Sequence, residues 1–340
     1  MAESESIKDI AYVLLRDSIL LDKNADEVDI ALNLGADPNK PLFINGGKVP
    51  IMPVNLAILN DDSRGAMLKL LINSGAKVEG DPFQEIKADI PIIYAASSGS
   101  CEAVRFLLEE ANSPINVVGV GGFTPLINAL SRNRVSVTKM LLDKGADPNY
   151  CGLYNGKLTT VPLDVAIFKK NAKLVSMLID YHADVNRPDS KLNVPLHYAV
   201  STGSEEIIKI LLDAKASIDN MNSMGQSPLA YAIALDRDTN IAVLLIDCSA
   251  DCNQRTKSGK TPIMIAIEKQ NTLIVKKLID KGVDLSASDI NNKNALSYAN
   301  DSRNQDIINM VVQAYNAQAA RQNAESKSTE NGPAQKIKTT

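Results

Sequence analysis

The feature that most constrains this chain is a unit that returns about every 33 residues. "KMLLDKGADPNY" (139–150) has counterparts in "ALNLGADPNK" (31–40), "LIDYHADVNR" (178–187), "LIDCSADCNQ" (245–254) and "LIDKGVDLSA" (278–287). Weaker copies are "LINSGAKVEG" (71–80) and "LLDAKASIDN" (211–220). The small residue of the Gly-Ala-Asp slot falls at Ala36, Ala76, Ser113, Ala146, Ala183, Ala216, Ala250 and Val283, in steps of 40, 37, 33, 37, 33, 34 and 33. A fixed period of this length means one supersecondary unit per repeat, and the longer steps are units with insertions. A stack of such units has no central core to outgrow, so 340 residues need not split into ordinary domains.

A second signal runs in phase: "FTPLINAL" from Phe123, "VPLDVAI" from Val161, "VPLHYAV" from Val194, "SPLAYAI" from Ser227 and "TPIMIAI" from Thr261. "MPVNLAI" (52–58) and "IPIIYAA" (90–96) are degenerate copies, and "NALSYAN" (294–300) is a last copy without the Pro. Thr or Ser caps a helix start, and Pro is tolerated in the first turn, where its missing N–H has no partner to lose. The Ala a few residues on lets a second helix cross closely. The Leu-Leu or Leu-Ile pair, with an apolar residue one turn earlier, is the buried face of that second helix. Gly ends it in a left-handed conformation, and Asp and Asn turn the chain out into a loop.

Helix, turn, helix, Gly stop and projecting loop, with "TPL" and "GADPN" in phase over roughly residues 8–315, resembles the ankyrin repeat. The resemblance implies an all-α ankyrin-repeat solenoid of helix-turn-helix units with projecting β-hairpin loops. Its implied organisation is an N-terminal capping repeat (1–40), ankyrin repeats (41–292), a C-terminal capping repeat (293–315) and a disordered polar tail (316–340). The motif's Thr survives only at Thr124 and Thr261, with Ser227 in a third unit, and its His only at His197. A less rigid array than consensus repeats give is expected.

The family resemblance implies protein binding through the concave face of the first helices and the finger loops. Three finger segments are long: "KPLFINGGKVPI" (40–51), "GDPFQEIKADI" (80–90) and "YCGLYNGKLTTV" (150–161). Asn-Gly in the third is a strong signal for a tight hairpin turn. Aromatics are only 4% of the chain, yet Phe43, Phe83, Phe123, Tyr150 and Tyr154 all fall in connecting segments. Each is either a prop for its own finger or a contact anchor, since interface hot spots favour aromatics and Arg. The positions after the small Ala of successive first helices hold Ser131 and Arg132, Phe168 and Lys169, Ser201 and Thr202, Ala234 and Leu235, and Glu268 and Lys269. The richest combination is Arg132, Tyr150, Tyr154, Lys157, Phe168 and Lys169, rings flanked by cations that suit an acidic or amphipathic segment. Tyr94, Tyr198, Tyr231 and Tyr298 share one repeat position and read as an internal stacking ladder.

Other functions find less support. A net charge of −4 and a pI near 5.4, without a basic stripe, argue against nucleic acid. No segment nears the roughly 20 apolar residues of a membrane span, so no membrane insertion is expected, and the acidic start does not read as a signal peptide. Four Cys in no regular framework fit a reducing compartment. His182 and His197 occupy different repeat slots and form no implied catalytic pair. Cys248 and Cys252 have no second ligand pair for zinc, which wants four. "GVGGF" (119–123) lacks the Lys-Ser/Thr of a phosphate loop and reads as a connection. No catalytic residue, cofactor or metal is expected. The expectation is therefore a monomeric, non-catalytic, cytoplasmic protein-binding module.

Ankyrin arrays with flexible polar tails also occur in bacterial effectors, which places such a module in a host cytosol. The alternatives are a cytosolic adaptor or inhibitory subunit, and an enzyme with its site hidden in the inserted loops. Asn149 and Asn186 fit the Leu…Asp-x-Asn pattern that asparaginyl hydroxylases modify in ankyrin repeats, although Asn also simply suits this turn.

Overall fold

Proline decides where each repeat begins. In the computed structural model, Pro53, Pro91, Pro125, Pro162, Pro195, Pro228 and Pro262 each open a short helix. The structure describes residues 2–21, 25–44, 49–60, 65–79, 90–154, 157–158 and 161–330, and side chains only for part of these. By compactness the chain divides into two units, Met1–Asp184 and Val185–Thr340.

The first unit contains α1 (Ala2–Leu20), α2 (Ala25–Asn33), the hairpin β1 (Leu42–Ile44) and β2 (Val49–Ile51), α3 (Pro53–Asn60) and α4 (Ala66–Asn73). There follow α5 (Pro91–Ser98), α6 (Cys101–Glu109), α7 (Pro125–Ser131), α8 (Val135–Asp143), the short hairpin β3 (Leu153–Tyr154) and β4 (Lys157–Leu158), α9 (Pro162–Phe168) and α10 (Ala172–Asp180). The first helices α1, α3, α5, α7 and α9 pack in succession, while α2 lies on α4 and α8 touches both α6 and α10. The second unit has no strand among its described residues. Its pairs are α11 (Pro195–Thr202) with α12 (Glu205–Asp213), α13 (Pro228–Leu235) with α14 (Thr239–Asp247), α15 (Pro262–Glu268) with α16 (Thr272–Asp280), and α17 (Ala295–Ser302) with α18 (Gln305–Glu330). Here α11, α13, α15 and α17 stack in one row and α14, α16 and α18 in the other.

The layers close on small and branched residues. Ala129, Ala166, Ala199 and Ala266 are fully buried at the crossings. Each second helix buries residues one turn apart, such as Leu174 with Leu178 and Ile207 with Leu211. Burying one such side chain is worth about 2 kcal/mol, so every repeat contributes, but only once its neighbour covers it.

The helix stop is a Schellman motif. After α8, Gly145 N–H donates to Leu142 O at 3.0 Å and Ala146 N–H to Leu141 O at 2.9 Å. Gly35, Gly75, Gly145 and Gly282 hold the left-handed residue at φ 75–94°, but His182, Lys215 and Ser249 are also left-handed there, at φ 67–69°, without glycine. The Asn that ends "GADPN" then reaches the next repeat. Asn149 Nδ2 donates to His182 O at 3.0 Å, and its Oδ1 accepts from Asp184 N at 2.8 Å. Asn39 grips Gly75 O and Lys77 N in the same way, and Asn186 grips Lys215 O and Ser217 N. The carboxamide is a two-point staple between consecutive repeats, which is a physical reason for Asn at that place.

One expectation needs correction. Where a disordered tail is expected from 316, α18 continues to Glu330. Residues 316–330, "NAQAARQNAESKSTE", are rich in Ala, Gln, Arg and Glu, which lose little freedom in a helix, and contain no Gly or Pro. Residues 331–340 lie outside the described residues.

Candidate protein-binding surface

In the first unit the inserted fingers hold rings at their bases. The β1–β2 hairpin sets Leu42 opposite Ile51 and Phe43 opposite Pro50. Alternation buries Leu42 and leaves Phe43 50% exposed. At the next described finger, Gly119 N–H donates to Phe123 O at 2.9 Å, closing the 119–123 connection. Gly121 has φ +75°, and a Cβ there would stand 3.0 Å from the Phe123 ring. A Cβ on Gly152 would lie 2.2 Å from Gly122 O, so the two neighbouring fingers touch backbone to backbone. The β3–β4 register places Tyr154 opposite Lys157. Arg132 caps α7, Phe168 ends α9 and Lys169 caps it, and α7 packs on α9. Phe168, Phe123 and Tyr150 are 51%, 44% and 38% exposed. Neighbouring elements thus carry Arg132, Phe123, Tyr150, Phe168 and Lys169. For Tyr154 and Lys157 only the backbone is described, and Phe83 lies outside the described residues.

The second unit builds its fingers differently. At Asp189, Asn222, Thr256 and Asp289, 33 or 34 residues apart, a side-chain oxygen accepts backbone N–H bonds within its own five-residue tip. Asn222 Oδ1 takes Met224 N at 2.9 Å and Gln226 N at 3.0 Å. Consecutive tips are joined by Ser223 N to Lys191 O at 2.7 Å, Lys257 N to Met224 O at 3.2 Å and Ile290 N to Ser258 O at 3.1 Å. Gly225 has φ +71°, and a Cβ would sit 2.5 Å from Lys257 N. Only glycine allows that approach.

Between the fingers at 222–226 and 256–260 and the ends of α13 and α15 lies a cleft of about 260 Å³. Met224 and Ile265 supply apolar surface, and Lys260, Glu268 and Lys269 supply charge. Lys260 Nζ is 2.8 Å from Glu268 and lies 5.4 Å from the centre of the Tyr298 ring. Glu268 and Lys269 are legible in sequence as positions after the small Ala. Met224 and Lys260 are not, since nothing local distinguishes a finger residue that faces a cleft from one that faces water.

Of the tyrosines that share one repeat position, Tyr198 and Tyr298 turn to carboxylates and Tyr231 to a ring. The Tyr198 hydroxyl donates to Asp189, and that of Tyr298 to Asp289 at 2.9 Å. Tyr231 meets His197 with ring centres 5.8 Å apart. Backbone N–H of Lys293 first, then the Tyr298 hydroxyl, hold the Asp289 carboxyl below the usual range. Burial pushes Asp189 upward, but hydrogen bonds from Tyr198 and Asn193 outweigh it and its carboxyl also sits low. Burial first, then the bond to Asp289, raises Tyr298.

His197 is a strut. Its Nδ1 accepts Val194 N–H at 3.3 Å, and Nε2 stands 3.0 Å from Gln226 O. One nitrogen must therefore accept while the other donates, which defines the neutral ring, and burial lowers its pKa. His182 is exposed at φ 67°. Cys252 Sγ donates to Ala250 O at 3.3 Å, and burial raises its thiol. Among the described residues no cluster of three His, Cys, Asp or Glu has metal-binding geometry, and no helix is long and apolar enough to cross a membrane.

A family model described as "Ankyrin repeats (3 copies)" matches residues 54–150, 163–256 and 233–323. The chain belongs to the ankyrin-repeat family. Ankyrin repeats generally act as protein–protein interaction modules, and the fold is typically non-catalytic. Alpha-latrocrustotoxin-Lt1a of Latrodectus tredecimguttatus is 34% identical over 125 residues, which are 37% of this chain and 8% of the toxin. The transient receptor potential channel pyrexia of Drosophila melanogaster is 31% identical over 114 residues, 32% of this chain and 12% of the channel. This ankyrin-repeat chain thus matches only a small part of either relative. Among solved structures, the ankyrin repeat domain of Bcl-3, described as a unique member of the IkappaB protein family, is similar with a TM-score of 0.60. At 24% identity, that likeness covers 66% of this chain and 98% of the Bcl-3 domain, and it speaks to the fold.

Proposed function

We propose that this ankyrin-repeat chain is a non-catalytic module that holds a protein partner across the concave face and finger loops of its first unit. Arg132, Tyr150, Tyr154, Lys157, Phe168 and Lys169 form the centre of the surface, with Phe43, Phe83 and Phe123 along the fingers. Segments 1–40 and 293–315 serve as end caps of the repeats at 41–292 in this reading. The observation that carries it is exposure: three of the five phenylalanines, Phe43, Phe123 and Phe168, stand 44–51% exposed in a chain with no Trp. Each is about half buried already and would gain about 1 kcal/mol more if fully buried, and a partner's surface supplies that burial. A largely preformed face pays little ordering cost on binding.

The test is affinity capture from cell extract with the intact chain and with Tyr150→Ala/Phe168→Ala. Partners recovered by the native chain are expected to be depleted about tenfold or more by the double variant, since aromatic anchors of this kind carry on the order of 2 kcal/mol each. Equal recovery of every partner by both proteins removes this surface. Whether the module works in its own cell or after export is a separate matter, which deletion of residues 316–340 and an export assay decide.

A further inference from the structure

The finger edge of the second unit is positive in a chain whose net charge is −4. Segments 187–193, 220–226, 254–260 and 287–293 contain Arg187, Lys191, Arg255, Lys257, Lys260 and Lys293 against only Asp189 and Asp289. Both carboxylates are occupied inside their own repeats: Asp189 by the N–H groups of Lys191 and Asn193 and by Tyr198, and Asp289 by those of Asn291 and Lys293 and by Tyr298. In the cleft, Glu268 is paired with Lys260. Lys257 and Lys269 are exposed and make no ion pair among the described residues.

Apolar surface accompanies this charge. Met224 is 63% exposed on the cleft rim, and Ile265 forms part of its wall. At about 260 Å³ the cleft is smaller than the roughly 300–1,000 Å³ of small-molecule sites. That size suits one side chain of a polypeptide. The apolar wall lies recessed between two fingers, where a flat lipid surface does not reach, and this favours a peptide over a membrane.

We propose that this cleft is a second recognition site, taking one apolar side chain of an acidic segment of a partner protein. The anchor lies between Met224 and Ile265, and the segment's carboxylates face Lys257 and Lys269. The site extends the protein-binding reading to a surface that shares no residue with the patch of the first unit.

The test uses the full chain labelled with ¹³C at its methionine methyl groups. The probes are the peptide acetyl-Asp-Glu-Leu-Glu-Asp-amide, its Leu-to-Ser counterpart, acetyl-Lys-Lys-Leu-Lys-Lys-amide and phosphatidylserine vesicles. The acidic leucine peptide is expected to shift the Met224 methyl resonance and to bind more weakly as salt rises. Lys257→Glu/Lys269→Glu is expected to weaken that binding about tenfold or more through charge reversal, and the serine and lysine peptides are expected to leave Met224 unmoved. No Met224 shift at millimolar acidic peptide, an equal response to the lysine peptide, or unchanged affinity in the charge-reversed variant overturns the proposal. Vesicle binding that Met224→Ser abolishes, with no peptide response, overturns it in favour of a lipid surface. Tyr150→Ala/Phe168→Ala should leave the peptide response intact. If captured partners depend on that double variant while Met224 stays silent, the first-unit surface stands and this site falls.

Discussion

The two units solve one problem, carrying the chain from one repeat to the next, in opposite ways. In the second unit each tip is five residues closed by its own Asp, Asn or Thr and tied by backbone to the next tip. In the first, insertions form hairpins whose strands satisfy each other. The 119–123 connection is the exception in the first unit: it is closed like the short tips, by Gly119 N–H to Phe123 O, yet carries Phe123 where Asn193, Gln226, Lys260 and Lys293 stand in the second. Seven residues after the capping residue, the first unit holds Leu59, Ser97, Ser131 and Phe168, and the second Ser201, Ala234, Glu268 and Asp301. Lys260 pairs with Glu268, and Lys293 pairs with Asp301. A finger that satisfies its own backbone by a hairpin leaves its side chains for contact, whereas a short tip spends them on itself.

The contrast can be broken most severely at Gly225. Gly225→Ala places a Cβ 2.5 Å from Lys257 N in a left-handed backbone and is expected to destabilise by about 3 kcal/mol, read from chemical denaturation. Next comes Asn222→Ala, which strips the buried acceptor from the N–H groups of Met224 and Gln226 and should cost about 2 kcal/mol. An equal loss from Phe43→Ala, on a hairpin that does not need its ring, would erase the distinction between the two kinds of finger.

These substitutions also separate what was legible from what was not. The helix pairs, their Pro starts, the left-handed stops and the hairpins of the fingers at 40–51 and 150–161 are readable, because each rests on residues within a few positions of one another. Residues 80–89 of the remaining long finger lie outside the described residues. Also readable are the rings at 43, 123 and 150, since scarce aromatics in connecting segments stand out, and Phe168, two places after the small Ala166 of its helix. The Asp189–Tyr198 bond and the Lys260–Glu268–Tyr298 cluster are not, because the same lysine or tyrosine serves equally well facing solvent. The helical stretch 316–330 is missed for another reason: its polar composition fits both a solvated tail and an exposed helix.

Smaller effects sharpen the comparison. Asn149→Ala removes the staple to His182 O and Asp184 N and should cost about 1.5 kcal/mol, with Asn186→Ala similar if the staple is general. Leu192 holds φ 59° where Gly225 and Gly259 stand in other tips. Leu192→Gly is expected to stabilise by about 0.5 kcal/mol, the strain relieved exceeding the chain entropy lost. The smallest effect comes from pH. His197 has a lowered pKa in the fold, so on acidification the unfolded chain takes up that proton first. Stability from this group is therefore present above the ordinary histidine pKa and is lost as pH falls below it. Thermal midpoints from pH 7.5 to 5 should fall less in His197→Gln than in the native chain.

The sequence alone set the repeat: where each helix starts, which face it buries and where the chain turns out. Those choices depend on cap chemistry, apolar periodicity and permitted backbone angles, all local. Only stacking decided which polar groups became struts and which became surface. Asn149 reaches His182 and Asp184, His197 reaches Gln226 and Lys260 reaches the Tyr298 ring, each 29–38 residues away, and a residue cannot choose among such partners until its neighbour's repeat has packed beside it.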